Sequence, residues 1–489
     1  MKRSRDPADI AKYLVDESRM AGGSAVEVAW PASPAEAAEF LRECAASATP
    51  VTVSGAGTGI TGGRVPQGGV VLALDRMNRI LELAPDRARV QAGALLSEVF
   101  EATGAEGSWY PPDPTEWGCS IGGTVATNAS GARTFRFGPT RRWVERLLVA
   151  LPDGSLLDLP RGAVRAAGGR FEIPRGGGPP LVVPAPDWAL PRTTKHAAGY
   201  HSAPGMDLVD LFVGSEGTLG VVLEADLRLL AAPEGFLAGI FFFAGEAAAL
   251  SFVEGARAPS ALVAPLSLEF FDASALDLLR EKGVALPGEA RAAIFWEEAL
   301  GPRGSAQRAV VAPTDAGLAL DAWLALGAAA GASDDSWVAE GARDHQRFRD
   351  FRHEVPASIN EKLARRGVTK VSTDTAVPRG MARELLRRTR EELARAALEH
   401  AVFGHIGDDH LHVNILARDP GEYAAARAVY GRLVAIAVAL GGTTSAEHGL
   451  GKLKAGDLAL LYAPEVLERM RAIRRALDPA GILGRGTLL

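Results

Sequence analysis

A chain of 489 residues with 47% hydrophobic and 23% charged residues is too long for one ordinary core and too apolar for global disorder. A net charge of −6, with no basic stripe, argues against a nucleic-acid partner. Two cysteines, Cys44 and Cys119, are too few for a disulfide scaffold or for the four thiolates an iron–sulfur cluster usually takes.

The N-terminus, Met1-Lys2-Arg3-Ser4-Arg5-Asp6, leads into a polar helical stretch and has no apolar signal segment. Val26 to Trp30 reads as a strand, Pro34 to Ala46 as a helix with Ala35, Phe40 and Leu41 inward, and Thr52 and Val53 as the end of a second strand. A glycine-rich loop, Gly55 to Gly63, precedes a strand at Val70 to Leu74. Val90 to Ala92 and a helix from Leu95 to Ala102 continue the α/β pattern. Tyr110 to Gly138 is dense in Pro, Gly, Ser and Thr without a period, which in a compact domain points to function. A strand at Val144 to Leu151 meets a hairpin turn at Asp153-Gly154. Residues 161–194 read as an inserted excursion, and Val209 to Leu230 as strand-like. After Pro233 apolar strands (Ala238–Phe243, Ser267–Phe271, Ala292–Trp296) alternate with helices (Glu246–Ala256, Leu318–Ala330, Asp344–Lys362, Met381–His400). The tail carries an amphipathic helix at Pro464–Leu477. These elements predict one domain over residues 20–230, an α+β domain over 231–440, and a tail, 441–489. The most apolar window, residues 236–253, contains Glu246 and reads as a buried strand then a helix, not a membrane span. A cytoplasmic location is expected, with attachment to a membrane surface as the alternative.

The 55 glycines imply either many turns or loops that bring backbone close to a ligand. Gly55-Ala56-Gly57-Thr58-Gly59, with Gly63 beyond, follows a strand and offers backbone N–H groups to a pyrophosphate. No helix opens after it, which disfavours a nicotinamide-binding fingerprint. Pro112-Asp113 and then Gly122-Gly123-Thr124-Val125-Ala126-Thr127-Asn128-Ala129-Ser130-Gly131 would let a flat ring lie against backbone. Gly214-Ser215-Glu216-Gly217-Thr218 adds a third such segment. Together the three segments resemble the FAD-binding domain of vanillyl-alcohol oxidase/para-cresol methylhydroxylase-type flavoproteins. The likeness is closest to the D-2-hydroxyacid dehydrogenases acting on D-lactate, glycolate or D-2-hydroxyglutarate, and it runs from about Val26 to Asp478-Pro479. It implies a two-subdomain FAD-binding domain plus an α+β substrate (cap) domain with an antiparallel sheet, with residues 441–489 returning to the FAD domain. It implies that Gly55, Ala56, Gly57, Thr58, Gly59 and Gly63 hold the FAD pyrophosphate. Pro112, Asp113, Gly122, Gly123, Thr127, Asn128 and Gly131 would line the flavin and its stem, and Glu216 and Gly217 the nucleotide end. The family commonly has Pro-Arg where Val53-Ser54 stands, so one cation near the phosphates is missing. Thr58 stands where covalent relatives attach flavin through His, so non-covalent FAD is expected, and Cys119 is expected to be a packed thiol.

Five of the nine histidines, His400, His405, His410, His412 and His448, fall in a tenth of the chain. His405 and His412 would face opposite sides of one strand, but Gly407-Asp408-Asp409 can turn and bring them together. With Glu447 they form a divalent-metal donor set; one histidine alone would read as a strand-end polar residue. The resemblance agrees. Its Gly-His-x-Gly-Asp-Gly-Asn-x-His-x-Asn and Glu-His-Gly patterns place a divalent ion, Zn or Mn, on His405, His412 and Glu447, with Asn414 and His448 at substrate. Asp409-His410 replaces Gly-Asn, leaving His410 as an extra ligand or a bystander, while His400 is read as a helix-end residue. Arg352 matches the family's substrate-binding arginine, a fork suited to a carboxylate. Lys370 is either a second substrate cation or a surface lysine.

The resulting expectation is oxidation of a D-2-hydroxy acid to the 2-oxo acid. His448 would be the general base, at its near-neutral pKa, and FAD the hydride acceptor. Electrons would leave to an external acceptor: a quinone, carrier flavoprotein, cytochrome or partner subunit. A homodimer is open to it. The rival expectations are an alkyl-dihydroxyacetonephosphate-synthase-like flavoenzyme, a catalytically silent FAD-binding subunit, and a metal-dependent hydrolase.

Overall fold

In the computed structural model, which describes residues 1–175, 178–301, 316–339 and 341–489, a small sheet forms first. Strands Glu27–Trp30, Val70–Ala73 and Val51–Ser54 lie parallel, with Val70–Ala73 central. Their near-continuous apolar text fits a sheet covered on both faces. The helix Pro34–Ala46 packs Phe40 and Leu41 against it; Ala35, read as inward, is exposed, and Ala37 and Ala38 take the inward positions instead. The helix expected after the polar first residues is Pro7–Ala11. Lys2–Ser4 is a strand, antiparallel to Glu27–Trp30, held at the sheet edge where Arg3 reaches Glu27 and Glu43. Local polarity hid a pairing that is set at long range.

A second sheet is antiparallel throughout, in the order Ile80–Ala84, Arg87–Gln91, Val221–Arg228, Val144–Ala150, Leu156–Pro160. The turn at Asp153-Gly154 is present: the Asp153 carboxylate accepts from Ser155 N at 2.9 Å and Gly154 takes φ +82°. Two stretches differ from expectation. Residues 110–138 contain helices Ile121–Thr127 and Thr134–Phe137, the first too glycine-rich to show an apolar period. Within 209–230, Leu208–Phe212 is a helix capped by Asp207; five residues are too few to separate helix from strand by period. Residues 161–194 include an antiparallel hairpin, Arg170–Ile173 with Leu181–Pro184.

Beyond residue 234 the described residues form an antiparallel sheet in the order Trp337–Val338, Gly235–Phe243, Ala292–Leu300, Ser267–Asp272, His400–Gly404, His410–Ile415, Val371–Ser372, with Thr375–Ala376 beside His410–Ile415. Its core is aromatic: Trp296 and Trp323 stack at 4.2 Å, with Phe241 and Phe252 edge-on. The helices Glu246–Ala256, Ala316–Ala329, Ala342–Arg366 and Ala382–Ala396 occupy the expected places. His400 opens a strand instead of ending a helix, because the helix stops at Ala396 with Ala397 left-handed. The tail helix Pro464–Leu477 buries Met470, Ile473 and Leu477 in the same core as Val209 and Phe212. Among the described residues no helix is long and apolar enough to cross a membrane.

Candidate active site

The histidine text folds as a hairpin. His400–Gly404 pairs with His410–Ile415, Phe403 opposite His412, across a 3-10 turn at Ile406–Asp408. Asp409 closes the turn at φ +53°, a conformation that favours glycine. Its carboxylate offsets the strain: it accepts from Gly380 N at 3.0 Å and Ala382 N at 3.1 Å, at the start of the helix Ala382–Ala396, and meets Arg257 at 2.6 Å. This is how the chain tolerates Asp409.

The bend brings His405 and His412 onto one carboxylate. Glu447 Oε2 lies 3.3 Å from His405 Nε2 and 3.8 Å from His412 Nε2. The far ring nitrogens are fixed by second partners: His405 Nδ1 lies 2.8 Å from Glu269, and His412 Nδ1 donates to the Thr373 carbonyl at 3.2 Å. That arrangement turns both Nε2 atoms inward. His410 is also inside the cluster and fully buried. Donor atoms of His405, His410, His412 and Glu447 lie within 4.8 Å of one another. The set fits a divalent ion. Burial pushes His405 down, but Glu269 and Glu447 outweigh it and lift it to about 9, so the pocket draws positive charge. Both oxygens of Asp408 and both nitrogens of His410 are buried without a hydrogen-bond partner among the described residues.

The substrate side is arranged around the same carboxylates. His448 stacks on His412 at 5.3 Å, with Nδ1 3.3 Å from Asp374, and its side chain is 26% exposed. Burial lowers it to about 4 against the pull of Asp374, below the near-neutral value expected from sequence. Asn414 is buried on the strand, opposite Ser372, with Oδ1 unpartnered among the described residues. Arg352 projects from the helix Ala342–Arg366 over the Phe295 ring, 3.8 Å from Glu269. Lys370 is pushed down to about 8 by burial and by Lys454, whose charge also reaches Asp374 and His448.

The three glycine segments meet. A Cβ on Gly55 would strike Ser120 Oγ, the N-cap of the helix Ile121–Thr127. Gly214 N donates to the Val125 carbonyl and Glu216 N to that of Ala126. Gly122 N donates to the Ala92 carbonyl at 2.7 Å, and Asn128 ends the helix left-handed. Gly131 packs on Asp113, where a Cβ would come within 1.8 Å of the carbonyl oxygen. Thr127 donates its hydroxyl to Gly123 O. Among the described residues the N–H groups of residues 56–60 donate to no protein acceptor, which fits a loop that holds an anion. A Cβ on Gly63 would lie 3.9 Å from Gly451 Cα, and Pro112 is buried before Asp113. Glu216, expected at the nucleotide end, has a structural tie of its own. Its carboxylate accepts from Leu450 N at 2.9 Å and Gly451 N at 2.7 Å, tying this segment to the chain just after His448.

Several residues escaped the sequence reading. Arg64 brings a guanidinium to the first loop, donating to Gly55 O at 3.1 Å, near where the family's arginine was missed. Lys195 is fully buried with Nζ 2.5 Å from Glu447 and 3.3 Å from Asp408. Glu269 is hydrogen-bonded to His405, and Asp374 lies 3.0 Å from His410 and 3.3 Å from His448. A signal existed for the lysines. The chain has 53 Lys and Arg, of which only eight are Lys. Lys195, Lys370, Lys452 and Lys454 all come to this region, Lys452 on the carbonyls of Gly62 and Gly63. The two thiols are free and packed, burial raising Cys44 to about 11 and Cys119 to about 12.

Comparison with known proteins agrees with this geometry. Residues 26–160 match the FAD binding domain model, and residues 234–488 match the model of FAD linked oxidases, C-terminal domain. The chain is 31% identical over 501 residues to D-2-hydroxyglutarate dehydrogenase of Xanthomonas citri pv. viticola, covering 100% of this chain and 94% of that one. It is 30% identical to a D-lactate dehydrogenase of Archaeoglobus fulgidus (94% and 90% covered) and 29% identical to glycolate oxidase subunit GlcD of Bacillus subtilis (94% and 87%). A solved alkyldihydroxyacetonephosphate synthase shares the fold, with TM-score 0.69 over 99% of this chain and 81% of that one, at 15% identity. The chain therefore belongs to the FAD-linked oxidases of the D-2-hydroxyacid dehydrogenase family, flavoproteins of the vanillyl-alcohol oxidase/para-cresol methylhydroxylase type.

Proposed function

We propose that this oxidoreductase converts a D-2-hydroxy acid of the D-lactate, glycolate or D-2-hydroxyglutarate class to its 2-oxo acid. The observation that carries the reading is the convergence of His405, His412 and Glu447, with His448 stacked beside them at the exposed edge. FAD, when bound on residues 55–63, 112–131 and 216–217, supplies a hydride acceptor at its N5. A divalent ion, Zn or Mn, on His405, His412 and Glu447 supplies a Lewis acid that lowers the hydroxyl pKa.

The chain's own groups do the rest. Arg352 holds the substrate carboxylate with its planar fork, and Asn414 and Lys370 complete the polar wall. His448 is neutral at pH 7. Its Nδ1 faces Asp374, so Nε2 takes the hydroxyl proton. Asp374, held well below the usual carboxylate range by His448 and His410 in spite of burial, stabilises the imidazolium that forms. The chain has only two thiols, so electrons leave to an external acceptor, not to an internal iron–sulfur cluster.

The test is an anaerobic spectral screen of D- and L-2-hydroxy acids, with and without chelator. The flavin should bleach with a D-2-hydroxy acid, and chelation should slow it. His405→Ala should abolish bleaching while FAD stays bound; bleaching at the normal rate would overturn the metal role.

A further inference from the structure

Three imidazoles of the hairpin enter the cluster; His405 and His412 are taken by the metal site, and His410 is left over. It stands where the pattern of the relatives has Asn, and it is 0% exposed. An imidazole sealed from water has to place both a lone pair and an N–H. Neither nitrogen has a hydrogen-bond partner among the described residues. Nε2 comes to 3.0 Å from Asp374 Oδ1, out of line for a hydrogen bond, and Nδ1 faces back into the cluster, 3.9 Å from Glu447 Oε1. The ring centre is 4.4 Å from that of His412 and 5.3 Å from that of His405. Lys195 occupies the Oε1 side of Glu447, leaving Oε2 toward His405 and His412. Donors about 2.1 Å from one ion lie about 3.4 Å apart in a tetrahedron, close to the 3.3 and 3.8 Å from Glu447 Oε2 to the two Nε2 atoms.

We propose that His410 Nδ1 is a further protein ligand of the ion on His405, His412 and Glu447, with Nε2 left facing Asp374; this rests on the metal reading above. A carboxylate behind a ligating imidazole fixes the tautomer and raises ligand basicity. Three imidazoles and one carboxylate favour Zn over Mg or Ca, which prefer oxygen. Four protein donors already complete a tetrahedron, so a hydroxy acid reaching the ion requires a coordination number above four.

The test uses FAD-loaded protein stripped of metal and titrated with Zn2+ against a chromophoric chelator. His410→Gln should weaken Zn2+ binding at least tenfold, with FAD content unchanged. Zinc X-ray absorption of the unmodified protein should fit three imidazoles, which keeps the proposal testable should the variant misfold. His410→Gln within twofold of the parent, or a fit to two imidazoles, overturns the role of His410. His405→Ala binding Zn2+ as tightly as the parent overturns the metal reading itself.

Discussion

Lys195 is the residue whose surroundings ask most of it. Its ammonium is fully buried between Glu447 and Asp408. Removing one partner of a buried charge pair leaves the other uncompensated, at a cost of roughly 3–5 kcal/mol. Lys195→Met should therefore lower the thermal midpoint of the FAD-loaded protein clearly, and added Zn2+ should recover part of the loss. An unchanged midpoint would show that Glu447 and Asp408 need no cation from this side. Lys370 gives a pH prediction. Burial, then Lys454, takes it down to about 8, so it is charged below that pH and loses its proton as pH rises through it. A substrate carboxylate held there should bind about tenfold more weakly per pH unit above 8, seen as a rise in KM. Lys370→Arg keeps its charge and should flatten that rise. A KM profile identical in both proteins would remove Lys370 from the substrate wall.

At the scale of elements, the hairpin 400–415 and the helix Ile121–Thr127 carry the two halves of the site. The turn was legible from Gly407-Asp408-Asp409, since residues seven apart on one strand cannot share a face. The side chain that secures it, Asp409 on the helix Ala382–Ala396, was not legible, because it bonds backbone 27 residues away. Gly131 is a case of close approach without a positive φ: its Cβ position is taken by the Asp113 carbonyl. Gly131→Ala must push residues 111–115 away from 128–134. The expected outcome is protein purified with little FAD, read as the flavin-to-protein absorbance ratio; full occupancy would show that this wall does not shape the flavin site.

At the scale of the whole molecule, the site lies where the chain's two halves meet. Arg133 makes two hydrogen bonds to Glu297, at 2.8 and 3.1 Å, and lies 3.7 Å from Asp113, joining the glycine segments to the large sheet. Glu216 ties to Leu450 and Gly451, and Lys195 to Glu447. Arg133→Met should lower the thermal midpoint and loosen FAD together, because the half-buried Glu297 is left without its cation. Arg387→Ala, at an exposed i,i+3 pair with Glu384, should change neither. Equal effects from the two would mean that the seam carries no special load.

Sequence alone determined what depends on local chemistry: the glycine loops that can present backbone N–H groups, the strand and helix periods, the hairpin bend, and the His405, His412, Glu447 donor set. Those features are written in residues near one another, or in types with few uses. Tertiary structure decided what depends on distant chain packed together. It buried Lys195 beside Glu447, brought Arg64 to the first glycine loop and turned Glu216 onto backbone. It enclosed His410, and by desolvation it moved His448 to about 4 and Lys370 to about 8. Charge placement in a buried cluster is a sum over all neighbours, and those neighbours come from segments up to 317 residues apart.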